Sequence, residues 1–318
     1  MCDVVLLGAA HIHMRDVIRV LLSHPAVRVV AVWDHDQARA ARWASALDAQ
    51  VSGSVKTALD THALRGALVY SETSRHRALV QAAARQGLAV FVEKPLAVSS
   101  TDALAMSEAL TGTSVFSTGF FLRYADAFAR LRDLVANGGI GQARHATVSV
   151  THAGLAQGWF DRDHAWMREP TEGGAGFFDL VVHCLDLAAW VLGHIDHVID
   201  VRTTASGNHG SAVVRTAAGA LVNLEAGWEA PAPSVQMSVT GDTTLTATGN
   251  RLLAGSTVIS TGRPPDAGDA PRAWLDALAH DHGKDQPLVS LADAIDRVHT
   301  VDLLRQRWTG PDGAAHAH

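Results

Sequence analysis

The residues best suited to proton chemistry lie in one apolar stretch of the second half of the chain. Asp179 and His183 are four positions apart, so on a helix they share one face. Histidine suits general acid–base work because its pKa is near neutrality. Asp186 falls on the same stripe, and so apolar a helix tolerates buried polar residues only when they are paired. We predict that His183 moves a proton; the alternative is a buried polar cluster that only ties a helix to a sheet.

A second candidate site is the turn after the first apolar run. Nucleotide-binding strand–turn–helix units carry G-x-G-x-x-G, because the turn is tight and its backbone approaches a pyrophosphate. Here the six positions read Gly8-Ala9-Ala10-His11-Ile12-His13, and only the first glycine is present. The turn nevertheless opens a predicted helix, whose free N–H groups can bind phosphate. This position favours a dinucleotide site, with an ordinary strand–helix turn as the alternative.

An acidic residue downstream supports the dinucleotide interpretation. Asp34 stands at the end of the apolar run 27–33. A carboxylate there can accept hydrogen bonds from both adenosine ribose hydroxyls and would repel a 2′-phosphate, so it favours NAD over NADP. His35, Arg39 and Arg42 follow closely and leave NADP open. The alternative role of Asp34 is that of a helix N-cap.

The 18 histidines raise the question of a metal site. His11 and His13 admit three interpretations: metal ligands, contacts to phosphate or nicotinamide, or packing. A metal site needs further ligands, and the sequence places none beside them. We therefore predict no metal, and we count His11 among the candidate cofactor contacts.

Strand and helix patterns alternate through the first third of the chain, where short apolar runs are separated by stretches of helical periodicity. This alternation indicates a parallel sheet covered on both faces. Beyond Gly141 apolar residues alternate in period two between glycine-bearing turns, which is typical of an open, mostly antiparallel sheet. The predicted class is α/β, with a dinucleotide-binding domain at 1–120, a substrate and oligomerisation domain at 121–309, and a flexible tail at 310–318.

The composition excludes several classes of protein. Apolar residues make up 47% and charged residues 18%, which is typical of a folded globular chain. The formal net charge of −6 gives no attraction for nucleic acid. No charge-free apolar stretch approaches the length of about 18 residues that a membrane span needs. The two cysteines, Cys2 and Cys184, cannot form a disulfide framework and fit a reducing cytoplasm.

Two segments resemble one known family. Phe91-Val92-Glu93-Lys94-Pro95-Leu96-Ala97 closely matches the E-K-P signature of the glucose-fructose oxidoreductase and inositol dehydrogenase (Gfo/Idh/MocA) family. Residues 173–186 resemble that family's G-G-G-x-x-x-D-x-x-x-H-x-x-D segment, and His76 and residues 120–124 occupy further family positions. The chain departs from the family pattern in the glycine loop.

The resemblance implies a Rossmann domain, a C-terminal α/β domain with an open sheet, and NAD(P)-dependent redox chemistry on a sugar or polyol hydroxyl. Family members often associate through the C-terminal sheet, so a homo-oligomer is expected. The candidate cofactor contacts are Gly8, Ala10, His11, Ile12, Asp34, Arg39, Ser71, His76, Glu93, Lys94 and Pro95.

The resemblance also implies catalytic roles for Lys94, Asp179 and His183. Lys94 would stabilise the developing alkoxide beside the nicotinamide ribose, and Asp179 would orient the substrate hydroxyl. A cis Lys94–Pro95 bond would aim the lysine. Lys94, Asp179 and His183 would also contact substrate, as would Arg123.

A polar-aromatic stretch adds weaker substrate candidates, because tryptophan and arginine suit contact with hydroxyl-rich or carboxylated ligands. A surface loop packed over the sheet is the alternative for this stretch. Its members are His152, Trp159, Arg162, His164, Trp166 and Arg168, of which Trp159 and Trp166 are the candidates we retain.

Two other functions stay open. One is a same-fold enzyme with net non-redox chemistry through transient reduction of a bound cofactor. The other is a non-catalytic nucleotide sensor, which the altered glycine loop favours. A sensor has no need for Lys94, Asp179 and His183 together, so their presence argues against it.

Overall fold

The computed structural model describes residues 1–61, 63–173, 176–280 and 288–310, and the chain divides into two compact units. The first unit contains Met1–Phe120, Arg162–Gly173 and Ala267–Val298. The remaining described residues form the second unit. The two later segments thus belong to the N-terminal unit. The single predicted boundary near residue 120 does not account for them. Of the predicted tail 310–318, all but Gly310 lies outside the described residues, as do His316 and His318.

The elements follow the predicted alternation in the first third of the chain. The strands are β1 (Cys2–Leu7), β2 (Val27–Trp33), β3 (Gln50–Val51), β4 (Leu64–Val69), β5 (Ala89–Val92), β6 (Phe116–Thr118), β7 (His145–Thr151), β8 (Ile195–Thr203), β9 (His209–Thr216), β10 (Leu221–Gly227), β11 (Ser234–Thr240), β12 (Thr244–Thr248), β13 (Arg251–Ala254) and β14 (Thr257–Thr261). The helices are α1 (Met14–Ser23), α2 (Gln37–Leu47), α3 (Val55–Leu59), α4 (Thr73–Arg85), α5 (Ser100–Ala109), α6 (Asp126–Ala136), α7 (Gly176–Leu192), α8 (Asp269–His280) and α9 (Leu291–Arg307).

The first unit is built on a parallel sheet with the strand order β3-β2-β1-β4-β5-β6. Its central strands are apolar and buried, which requires cover on both faces. Part of that cover is α8, whose Trp274 lies so close to Gly66 that a Cβ there would come within 2.7 Å of the ring. The carboxyl ends of β1 and β4 are neighbours, so the turns that follow them meet at one edge of the sheet. The predicted doubly wound architecture is confirmed.

The second unit contains an eight-stranded sheet in the order β14-β13-β12-β11-β7-β10-β9-β8. β7 and β10 pair in parallel, whereas the other described pairings are antiparallel. Buried and exposed residues alternate along β9 and β10, as the period-two pattern predicts. The predicted open, mostly antiparallel sheet is therefore confirmed. The sequence did not indicate β12, β13 or β14, because these short strands at one end of the sheet bury few apolar residues.

Helix α7 is the core helix of the second unit. With the residues before it, α7 is long and apolar enough to cross a membrane by length and composition, but most of this stretch is buried inside the protein. Cys184 on α7 is buried and its thiol donates to the carbonyl of Glu225 on β10. Burial raises the pKa of Cys184, so this thiol is not a nucleophile at neutral pH.

Candidate active site

The polar residues of α7 are buried among its apolar ones. Asp179 and His183 are each 4% exposed and Asp186 is 1% exposed. The helix places Asp179 and His183 on one face, one turn apart. Phe121 meets the His183 ring edge-on, with the ring centroids 5.4 Å apart. An aromatic wall on one side of the imidazole thus restricts its orientation.

Arg123 and Asp186 form a bidentate ion pair in the second unit. Arg123 Nε donates to Asp186 Oδ2 at 2.8 Å, and Nη2 donates to Oδ1 at 2.5 Å. The side chains are 8% and 2% exposed. Arg123 was predicted to bind substrate; the structure places its guanidinium against α7, where it compensates a buried carboxylate. Substrate binding by Arg123 stays a prediction.

The predicted substrate stretch divides between the two units. Trp159 belongs to the second unit, where it is 39% exposed and lies 4.8 Å from the ring of His152. Residues 162–173, which include His164 and Trp166, belong to the first unit. Substrate contact and a surface loop packed over the sheet both stay predictions for this stretch.

The turn after β1 is held tightly in the first unit. Gly8 has φ +80°, and a Cβ there would lie 2.6 Å from Ser71 Cα and 2.7 Å from Ser71 N. The amides of Ala10 and His11 donate to Tyr70 O at 2.9 and 3.0 Å. Gly8, the only glycine of the six positions, is thus required because the turn approaches the residues after β4 too closely for a side chain.

Residues 162–173 contact this same turn. His164 Nδ1 lies 3.0 Å and Trp166 Nε1 lies 3.1 Å from the carbonyl oxygen of Ala10. The Trp166 ring is 6.1 Å from that of His11. His164 and Trp166, proposed from sequence as substrate contacts, therefore hold the predicted cofactor turn. Their role toward a substrate remains a prediction.

Asp34 is fully buried, and Arg39 pairs with it. Arg39 Nε and Nη2 donate to the two Asp34 oxygens at 2.9 and 2.7 Å, and the amides of Ala9 and Asp36 donate to them as well. Arg39 Nη2 also donates to Glu72 at 3.1 Å. Burial disfavours the charged guanidinium, but the bonds to Asp34 and the charges of Asp34 and Glu72 outweigh it and raise the pKa of Arg39. Arg39 thus compensates the charge of Asp34, but because Glu72 shares the same guanidinium, the two carboxylates together still disfavour a 2′-phosphate.

The N-cap alternative for Asp34 is wrong. The side chain of Asp36 caps α2 by accepting hydrogen bonds from the amides of Ala38 and Arg39. These contacts lower the pKa of Asp36, with the Arg39 amide as the largest cause. Asp34 instead ties the end of β2 to the turn after β1, through its bond from Ala9.

Lys94 and His76 share the edge of the sheet with the turn. Lys94 is 2% exposed, and the Lys94–Pro95 bond is cis, as the resemblance implies. His76 on α4 directs Nδ1 toward the carbonyls of Pro95 and Leu96 at 3.1 and 3.3 Å, and Nε2 toward that of Ser71 at 3.2 Å. Burial lowers the pKa of His76 more than the hydrogen bonds to these carbonyls raise it, so the imidazole is neutral at pH 7. In this arrangement His76 positions the backbone on both sides of the predicted site.

Two groups at this edge were missed from sequence. The Tyr70 carbonyl accepts from the turn, and Glu72 is the second carboxylate on Arg39. The available signal was topological: β4 ends at Val69, beside the end of β1, so residues 70–72 must face the turn.

Burial is the largest cause that lowers the pKa of His11 well below its usual value, followed by the charges of His13 and Lys94. His11 is therefore a neutral imidazole within a group of basic side chains.

The close approach at Gly8 gives a stability test. Gly8→Ala should destabilise the protein by about 1–3 kcal/mol more than Gly87→Ala, because the new methyl group must push Ser71 away. Gly87 is a matched control, since its φ of +71° imposes similar backbone strain with no atom within 4 Å of an added Cβ. Urea unfolding of both variants measures the difference. Equal losses would show that strain at positive φ, and not the contact with Ser71, dominates.

A doubly wound unit with polar groups at the carboxyl edge of its sheet, and a second unit with a buried Asp–His helix, define the class of two-unit dinucleotide-type oxidoreductases. Two family models match the chain: "Oxidoreductase family, NAD-binding Rossmann fold" over residues 2–120, and "GFO/IDH/MocA C-terminal domain" over residues 128–245. The chain belongs to the Gfo/Idh/MocA family of oxidoreductases. The predicted family is confirmed, and the predicted enzyme class and cofactor type agree with it.

Curated relatives act on sugars and polyols. The chain is 32% identical over 192 residues to a dTDP-3,4-didehydro-2,6-dideoxy-alpha-D-glucose 3-reductase of Streptomyces antibioticus, covering 59% of this chain and 56% of the relative. It is 30% identical over 187 residues to inositol 2-dehydrogenase 3 of Saccharopolyspora erythraea, covering 57% and 49%. The chain thus matches about half the length of these relatives.

Solved structures show the same fold at lower identity. An oxidoreductase domain protein from Kribbella flavida superimposes with a TM-score of 0.82 at 20% identity, covering 96% of both chains. Myo-inositol 2-dehydrogenase from Lactobacillus plantarum gives 0.79 at 20% identity, also covering 96% of both chains. At this identity the likeness supports the two-unit fold.

Proposed function

We propose that this protein is an NAD(P)-dependent oxidoreductase that interconverts a secondary hydroxyl and a ketone on a sugar, polyol or sugar derivative. The observation that carries the proposal is the burial of Asp179 and His183 on one face of α7. An apolar core helix retains two such ionisable groups at a cost in stability, which a catalytic role explains. The sugar and polyol substrates of the two curated relatives support the substrate class.

The residues of the first unit fit a dinucleotide. The tight turn at Gly8, the N-terminus of α1 and the buried Lys94 lie at the carboxyl edge of a parallel sheet, where such cofactors bind. Residues 8–13, Ser71 and Lys94 would hold it, and Asp34 and Arg39 would exchange part of their mutual bonding for the adenosine ribose. When bound, the nicotinamide exchanges a hydride with the substrate carbon.

His183 takes the hydroxyl proton in oxidation and returns it in reduction, because an imidazole can both accept and donate a proton. Asp179, one turn earlier on α7, orients the substrate hydroxyl toward the imidazole. Lys94 places a positive charge where negative charge grows on the substrate oxygen. Trp159 and Trp166 are the proposed aromatic contacts to the sugar ring, and Arg123 the proposed polar contact.

Cofactor choice and substrate class can be measured together. A dehydrogenase screen over sugars, polyols and sugar acids, with NAD⁺ and NADP⁺ in parallel, should give reduced cofactor with at least one substrate. We expect tighter binding of NADH than of NADPH, and Arg39→Gln should change the ratio of the two affinities more than Arg42→Gln. Arg42 is the matched control because it pairs with Asp163 at the surface. Tighter NADPH binding by the parent would contradict the role assigned to Asp34.

The same screen separates the rival functions. Substrate consumption without net formation of reduced cofactor would indicate the non-redox enzyme. Cofactor binding with no turnover of any substrate would indicate the sensor. Either result would overturn the proposed oxidoreductase.

We also propose that the protein is cytoplasmic and forms a homo-oligomer through the C-terminal sheet. One face of that sheet is covered by α7, and the other presents a shallow groove. Residues of β7, β9, β10 and β11 line the groove, among them Ser149, Ser211, Asn223, Glu225 and Gln236. Light scattering on the purified protein tests the assembly, and the positive charge introduced by Asn223→Arg should weaken it.

A further inference from the structure

The altered turn places two histidines beside a buried carboxylate. His11, His13 and Glu93 form a group, here called the His–Glu cluster, in which each residue offers one ligand atom and these atoms lie within 4.8 Å of one another. His11 and His13 belong to the turn after β1, and Glu93 directly follows β5. All three belong to the first unit. The fold therefore supplies the third ligand that the sequence did not reveal.

The spacing of His13 and Glu93 within the His–Glu cluster matches metal coordination. His13 Nδ1 lies 3.4 Å from Glu93 Oε1. Two ligands at about 2.1 Å from a tetrahedral zinc ion are themselves about 3.4 Å apart. The His11 and His13 ring centroids are 4.7 Å apart with an interplanar angle of 68°, so the rings do not stack. One ion can thus reach both imidazoles with small side-chain rotations.

The burial of Glu93 is a second observation that points to a cation. Glu93 is 1% exposed, and its Oε1 accepts no hydrogen bond from the described residues. Gly119 leaves room for this carboxylate, since a Cβ there would lie 2.7 Å from Glu93 Cδ. A buried carboxylate oxygen without a hydrogen bond is costly, and a coordinated metal ion compensates that cost.

We propose that His11, His13 and Glu93 bind a divalent transition-metal ion of the zinc class. Two imidazoles and one carboxylate are a ligand set that Zn²⁺ accepts, with a further position open to water or another oxygen ligand. The Lys94 charge acts on His11 and opposes the cation, and the Glu93 carboxylate offsets it. The site goes beyond the proposed function, because neither hydride exchange nor proton transfer by His183 requires a metal.

The test uses the full chain without an affinity tag, treated with chelator and freed of nucleotide. Titration with Co²⁺, which reports tetrahedral coordination by its visible absorption, should saturate at one equivalent, and Zn²⁺ should displace it. Glu93→Gln and His13→Gln should each weaken binding at least about 10-fold and abolish the absorption. His197→Gln is the matched control, because His197 is an exposed histidine of the second unit.

Three results would overturn the proposal. They are a parent protein that binds no stoichiometric Co²⁺, Co²⁺ binding that persists in both Glu93→Gln and His13→Gln, and loss of Co²⁺ binding in His197→Gln. Circular dichroism checks that each variant is folded, and His13→Gln decides the matter if the buried Glu93→Gln fails this check. Zn²⁺ should also raise the Tm of the parent but not of His13→Gln. None of these readouts uses a nicotinamide cofactor, so a failure of the proposed oxidoreductase function leaves the metal result standing, and the reverse also holds.

His11 and Glu93 are also candidate cofactor contacts, which adds a competition experiment. Saturating Zn²⁺ should weaken NADH binding to the parent and leave NADH binding to His13→Gln unchanged. Equal NADH affinity of the parent with and without Zn²⁺ would show that any bound ion lies outside the predicted cofactor site, and would contradict the His–Glu cluster as its location.

Discussion

Replacement of His183 by alanine is expected to lower kcat on the best substrate by about 10²–10⁴-fold, the usual loss when a general acid–base group is removed. The imidazole is buried on α7 beside Phe121, so water does not simply take over the proton transfer. KM should change much less than kcat, since the lost interaction belongs to the transition state. Steady-state kinetics with the substrate found in the screen measures both constants.

Lys94→Ala gives the companion measurement. Loss of the buried cation should reduce kcat by about 10²–10³-fold, the typical effect of removing one electrostatic contact to a developing oxyanion. The double variant should fall far short of the product of the single losses, because groups that act in one step are not additive. His197→Ala serves as the control for histidine removal. Near-native turnover by both Lys94→Ala and His183→Ala would show that the assigned chemistry is wrong.

The first unit was largely predictable because its signals are local. Short apolar runs, such as the one that forms β5, indicate buried strands, and the helical periodicity between them indicates a parallel sheet. The bounds of the apolar run 27–33 agree with those of β2 to the residue. In the second unit the same reasoning missed β12 to β14, since these short strands bury few apolar side chains.

The side-chain pairing at the site was not predictable in the same way. Asp34 was placed correctly at the end of β2, but its capture by Arg39 depends on how the first turn of α2 is oriented. Glu93 was identified from its motif, yet its approach to His13 requires that β5 end near the turn after β1. Short-range sequence patterns thus identify the candidate ionisable residues, whereas their side-chain contacts depend on the tertiary fold.

The buried ion pair of the second unit leads to the largest expected loss of stability. Arg123→Ala should lower the free energy of unfolding by about 3–5 kcal/mol, because Asp186 is 2% exposed at its side chain and would be left without its compensating charge. Asp186→Leu alone should cost a similar amount by stranding the guanidinium. In Arg123→Met combined with Asp186→Leu no charge is left unpaired, and an apolar pair of similar volume should recover most of the loss.

Urea unfolding of Arg123→Met, Asp186→Leu and the double variant gives the coupling energy as a double-mutant cycle. Arg202→Ala is the matched control, since Arg202 pairs with Asp200 on the same unit but is 67% exposed at its side chain, and its loss should cost no more than about 1 kcal/mol. If Arg123→Ala proved as mild as Arg202→Ala, Asp186 would have to be solvated or protonated in the native state. That result would also free Arg123 for the substrate contact predicted from sequence. A large coupling energy would instead assign Arg123 to α7, where it fixes the helix that carries Asp179 and His183.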